Sequence, residues 1–159
     1  MRGYLVLEDG TVFEGKSVAA RGVAFGEAVF TTAMTGYQEV VTDPSYAEQI
    51  VCFTAPMVGN YGVTGDRCES PGPRARAVVM REARGPEWTD WLHERGVVAL
   101  SGVDTRTLVL HLRSRGAGAA LRPPVRNGVG RPLRRRDTRG GRIALRRRAV
   151  LATAVEAAA

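Results

Sequence analysis

At Gly116 the character of the chain changes so abruptly that only the residues before it can supply a conventional core. Between residues 1 and 116, 12 basic groups stand against 14 acidic ones, and the arginines are scattered singly among carboxylates. From 117 to 159, 11 arginines face only Asp137 and Glu156, and Gly, Ala, Arg and Pro make up 29 of the 43 residues. The net charge of +7 therefore belongs wholly to the tail. No aromatic residue anchors that segment, and its apolar positions keep no period of two or of 3.6 before the alanine-rich end. Three readings fit it: a basic arm for nucleic acid or another polyanion, a solvated linker, or an out-of-frame extension. The last follows from codon chemistry. These four residue types share first and second codon positions built only of G and C, apart from two of the six Arg codons. The expected division is a folded domain over 1–116 and an irregular basic tail over 117–159, disordered in the isolated chain.

Other classes fall away quickly. No apolar run approaches the roughly 20 residues that a membrane-spanning helix needs. Glu8, Asp9 and Gly10 interrupt the opening before the apolar stretch of a signal peptide can form. Two cysteines, Cys52 and Cys68, are too few for a disulfide scaffold or an unaided zinc site. The expected compartment is the cytoplasm.

Residues 1–116 read as strands first and helices later. Residues 4–7 and 11–14 flank Asp9-Gly10, a pair that favours a two-residue type I′ turn, and Gly15 is expected to end the second strand. Further strands are expected at 18–20, 27–32, 50–54, 77–80 and 97–100, the last three as buried apolar runs. A helix over 86–95 carries Trp88, Trp91 and Leu92 on one stripe, with Gly96 to stop it. A second, over 105–115, starts after Asp104 as N-cap and puts Leu108, Val109 and Leu112 on one face. Arg113 and Arg115 suit its carboxyl end, and Gly116 is expected to cap it. The fold class is α/β, a mixed sheet layered with helices.

A self-contained active site is hard to assemble from these residues. Cys52 sits inside an apolar strand, where a cysteine behaves as a small hydrophobe. Cys68 lies in a polar loop between Asp66 and Glu69, which do not favour a thiolate. His93 reads as a surface residue, and His111, mid-helix and two turns from Asp104, forms no pair with it. The glycines at 59, 62 and 65 lack the lysine of a phosphate-binding loop and point to positive φ instead. Glu8, Asp9, Glu39 and Asp43 fall in or near turns. The most informative stretch is 34–46, a polar excursion between two strands, where binding residues tend to lie. Within it Asp43 and Pro44 suit the N-cap and first position of a helical turn. Gly36, Tyr37, Gln38 and Glu39 have no comparably simple structural explanation.

That stretch, with Thr35-Gly36-Tyr37-Gln38-Glu39 and Thr42-Asp43-Pro44-Ser45-Tyr46, resembles the amino-terminal domain of the small subunit of glutamine-dependent carbamoyl-phosphate synthase. The opening hairpin, the turn Pro56-Met57-Val58-Gly59-Asn60-Tyr61-Gly62, and Val103-Asp104-Thr105-Arg106-Thr107-Leu108 fit the same family in the same order. The resemblance covers about residues 3–116. It implies a swivelling β/β/α domain packed between a large synthase subunit and the small subunit's own glutaminase domain. It further implies that Ser45 contacts glutamine, and that Thr35, Gly36, Tyr37, Gln38, Glu39, Asp43, Asp104, Thr105 and Arg106 are motif or interface positions. ATP and magnesium belong to the family's large subunit, so no cofactor is expected in this chain, and neither membrane nor nucleic acid is an expected partner. The product, made from glutamine, bicarbonate and ATP, feeds arginine and pyrimidine synthesis. Position 31 is Thr where the family usually has Asn, and Ala55 stands where an aromatic residue is common. Beyond Gly116 the resemblance stops. No Gly-x-Cys-x-Gly elbow of the family's Cys-His-Glu triad follows. The chain is therefore expected to be a truncated small subunit without glutaminase activity. The alternative is a stand-alone binding module with a polyanion-binding tail.

Overall fold

The computed structural model describes residues 1–119 and 148–153. Seven strands close into a barrel: β1 (Arg2–Leu7), β2 (Val12–Ser17), β3 (Val23–Thr31), β4 (Gln49–Phe53), β5 (Ala77–Val79), β6 (Val98–Ser101) and β7 (Arg148–Thr153). Around the barrel they run β1-β2-β6-β5-β4-β3-β7, and β7 pairs back onto β1. Among the described residues three α-helices accompany them: α1 (Tyr37–Thr42), α2 (Pro86–Glu94) and α3 (Thr105–Ala119). The α/β class with a mixed sheet is as expected.

β3, β4, β5 and β6 are parallel neighbours, with Val29 beside Val51, Val51 beside Val78, and Val78 beside Ala99. Parallel strands of this kind are covered on both faces, so their sequences are apolar at every position rather than at alternate ones. Ala28, Phe30, Ile50, Cys52, Val79 and Leu100 point into the barrel, where Leu108 and Leu112 of α3 join them. Val29, Val51, Phe53, Val78, Met80 and Ala99 point outward into a second core, closed by Tyr37 and Val41 of α1 and by Trp88, Trp91 and Leu92 of α2. Each fully buried side chain such as Phe53, Met80 or Leu92 contributes about 1.5–3 kcal/mol of transfer free energy.

Several local expectations are corrected. The hairpin is not built on a type I′ turn, because only Gly10 has a positive φ (84°) there. The Gly10 N–H donates to the Leu7 carbonyl and the Leu7 N–H to the Thr11 carbonyl, both at 2.9 Å. A three-residue loop results, with glycine in the left-handed position. Gly15 lies inside β2 rather than ending it. The strand passes so close to Val103 that a Cβ at position 15 would come within 2.7 Å of Val103 Cγ2. Residues 18–20 form no strand; Ala20 makes a single bridge to Val98.

α3 runs past Gly116 to Ala119, so Gly116 lies inside the helix instead of capping it. The tail is not irregular throughout either. Between β1 and β3, Ala149, Leu151 and Thr153 of β7 are buried at alternate positions, the period of a half-buried strand. The remainder of the expected basic, disordered tail, residues 120–147 and 154–159, lies outside the described residues.

Candidate functional site

The stretch 34–46 is not a loose loop. Gly36, at φ 77°, turns the chain into α1, and Asp43 ends it by donating its N–H to the Glu39 carbonyl at 2.8 Å. Asp43 then caps a single 3₁₀ turn, Pro44–Tyr46, with Pro44 at its first position, as the sequence suggested.

Gly36, Tyr37 and Gln38, which had no simple structural explanation, acquire one here. The ring of Tyr37 stacks on Tyr61 at 4.3 Å and lies against Trp88 at 4.7 Å. Its hydroxyl donates to the Gly62 carbonyl at 2.6 Å, and burial pushes that hydroxyl's pKa up. Tyr61 reciprocates, its hydroxyl accepting the Gly36 N–H. Gln38, only 1% exposed, clamps Thr64 from both sides. Its Oε1 accepts the Thr64 N–H at 3.0 Å, while its Nε2 donates to the Thr64 carbonyl and, at 3.1 Å, to Cys68 Sγ. Thr42, also buried, accepts the Glu69 N–H at 2.9 Å. These groups fasten 34–46 to the loop 54–76, which carries Gly59 and Gly62 at positive φ.

Other positions stay on the surface. Thr35 and Ser45 are exposed, and Met34 is 65% exposed. Ser45 donates both its N–H, at 2.7 Å, and its hydroxyl to Asp43 Oδ1. Glu39 is half-buried, with a shielded Oε2 that has no hydrogen-bond partner among the described residues.

The second group of candidates heads α3. Asp104 accepts the Thr107 N–H at 3.0 Å and the Thr107 hydroxyl at 2.7 Å, and these bonds hold its carboxyl below the usual range. Thr105 is buried and Arg106 exposed. No described hydrogen bond or ion pair joins Asp104, Thr105 or Arg106 to residues 35–45.

Neither cysteine resembles a nucleophile. Cys52 is buried in the barrel, which pushes its thiol up to about 12. Cys68 is exposed and accepts from Gln38. Among the described residues no hydrogen bond joins either cysteine to a histidine. His93 is exposed, as expected. The partner of His111 is not Asp104: its Nε2 meets Asp9 Oδ2 at 2.8 Å and so ties α3 to the opening hairpin. Asp9 is held well below the carboxylate range, first by hydrogen bonds from Thr11 and then, against the effect of burial, by His111. Among the described residues no three His, Cys, Asp or Glu side chains converge as metal ligands, and no helix is long and apolar enough to cross a membrane.

Residues 5–121 match the family described as carbamoyl-phosphate synthase small chain, CPSase domain. The carbamoyl phosphate synthase small chain of Nitratidesulfovibrio vulgaris (strain Miyazaki F) is 50% identical over 125 residues, covering 74% of this chain and 33% of that protein. The small chain of Xanthomonas axonopodis pv. citri is 53% identical over 121 residues, covering 71% and 31%. That of Parasynechococcus marenigrum is 48% identical over 124 residues, covering 73% and 32%. The chain spans about a third of the length of these curated relatives.

Proposed function

The chain belongs to the family of carbamoyl phosphate synthase small chains, and from that membership we propose that its matched part, β1 to β6 with the three helices, is the small chain's docking domain. In this role residues 1–116 form a swivelling unit that packs against a large synthase subunit and reaches over a glutaminase domain in the cytoplasm. The complex makes carbamoyl phosphate from glutamine, bicarbonate and ATP for arginine and pyrimidine synthesis. ATP and magnesium act on the large subunit, and this chain brings no cofactor. The observation that carries the reading is identity of about 50% to these small chains, confined to one domain. The fastening of 34–46 supports it, since a rigid turn that leaves Ser45 exposed is what a residue reaching into a neighbouring domain requires.

Two measurements test it. Mixed at micromolar concentration with the large subunit of the Xanthomonas enzyme, the full chain is expected to sediment as a one-to-one complex; separate boundaries would refute the docking role. Fused to a relative's glutaminase domain, the chain should supply one hydroxyl contact to glutamine. Ser45→Ala then raises the glutamine KM about three- to tenfold with kcat little changed. An unchanged constant would remove Ser45 from the site. Alone, the chain should release no glutamate from glutamine, because Cys52 is buried and neither cysteine has a histidine base.

A further inference from the structure

β3, β4 and β5 run parallel and end side by side, and beyond their carboxyl ends lies a cleft of about 490 Å³. That volume is in the range of small-ligand sites. The end of a barrel where parallel strands finish is a common place for ligands, because the chain there leaves the sheet and frees side chains for other work. Arg81, just past β5, enters from the sheet. α3 forms the opposite wall with one face, on which Arg106 and Arg113 flank the half-exposed Leu110.

Three guanidiniums in one cleft need an explanation. None of the three makes an ion pair among the described residues, whereas Arg2, Arg76, Arg84 and Arg95 each pair with a glutamate. Arg81 lies near enough to Asp104 to help hold its carboxyl low, but Thr107 already donates to both oxygens of that carboxylate. Arg113 lies over the Phe30 ring, 5.0 Å from its centre, which steadies it without neutralising it. A guanidinium stays charged and offers only donors, in a fork that matches phosphate and carboxylate oxygens. The first N–H groups of α3 are directed at Asp104, so the arginines rather than the helix terminus are the recognition elements.

We propose that this cleft binds a small polyanion carrying phosphate or carboxylate groups, held by Arg81, Arg106 and Arg113 with Leu110 as an apolar wall. The proposal is independent of the docking role, since it concerns the isolated chain.

The test is calorimetric titration of the full chain at low ionic strength with inorganic phosphate and, separately, with citrate. Saturable binding at millimolar concentration or below is expected for at least one, and which of them binds identifies the oxyanion class. Arg81→Gln and Arg106→Gln should each weaken it about tenfold, the scale of one charge-assisted hydrogen bond, while Arg2→Gln leaves it unchanged. Should Arg106→Gln fail to fold, the exposed Arg81 still carries the comparison. Absence of saturable binding to both probes would overturn the proposal. So would binding undiminished in the cleft variants, which would assign the anion to the arginines of residues 117–159.

Discussion

Replacing Gln38 separates a structural role of the 34–46 motif from a purely recognitional one. In Gln38→Ala, the two hydrogen bonds with Thr64 are lost, each worth about 0.5–1.5 kcal/mol net. One buried methylene also goes, at about 0.8 kcal/mol, together with the amide's bond to Cys68 Sγ. Thr64 is exposed, so its freed N–H and carbonyl regain water, which keeps the total near 2–3 kcal/mol rather than higher. For a domain of this size that is a fall in Tm of about 10 °C. Gln38→Glu preserves volume and one acceptor but turns an anionic oxygen toward the Thr64 carbonyl, so at neutral pH it should cost at least as much. Lowering the pH until the carboxyl is protonated restores a donor and narrows the gap. Urea unfolding reads the stability of each variant, and amide exchange at Thr64 reads the clamp directly. If Gln38→Ala unfolds within about 0.5 kcal/mol of the parent and Thr64 exchanges no faster, the clamp does not fasten the motif and the reasoning fails.

Three further outcomes follow from the same geometry. Gly59 has φ 98°, and a Cβ there would run into the Arg84 carbonyl and lie 2.7 Å from Trp88 Cβ; Gly59→Ala should cost about 3 kcal/mol or more in urea unfolding, and a loss under 1 kcal/mol would contradict this. Asp9 has a lowered native pKa, so its contribution to stability is complete above the unfolded value near 4 and is lost as pH falls below it; Asp9→Asn should flatten the acid limb between about pH 4 and 2, and an unchanged slope would exclude the Thr11 and His111 bonds as its cause. Thiol titration of the native chain should find only Cys68, with Cys52 reacting after denaturation, and two fast thiols in the folded protein would contradict the burial of Cys52.

What could be read from the sequence was whatever a local pattern encodes. The runs at 50–54, 77–80 and 97–100 are strands because both faces are covered, and Trp88, Trp91 and Leu92 mark α2 because their spacing is that of one helix face. Asp43 and Pro44 announce their turn by chemistry alone. The failures share a different cause. α1 is six residues long, opens on a left-handed glycine with no side-chain cap, and owes its polar face to partners 26 residues away in the 54–76 loop. His111 finds Asp9 across 102 residues of chain. The alternation in β7 is present in Ala149, Leu151 and Thr153, but three consecutive arginines before it hide a strand whose neighbours are β1 and β3. The arginine cleft escaped notice because its members are scattered singly in sequence and meet only where strands end beside α3.

The closure of the barrel by β7 also sets an order of events during synthesis. Gly3 pairs with Thr153, so β1 emerges from the ribosome 150 residues ahead of the strand that completes it. At about 5–20 residues per second, β1 and β3 wait on the order of ten seconds with an open edge each. Phe25 on β3, 68% exposed even in the finished barrel, lies on that waiting edge. An unpaired edge bearing an aromatic side chain is a template for another chain, so the nascent protein is most open to misassociation in that interval.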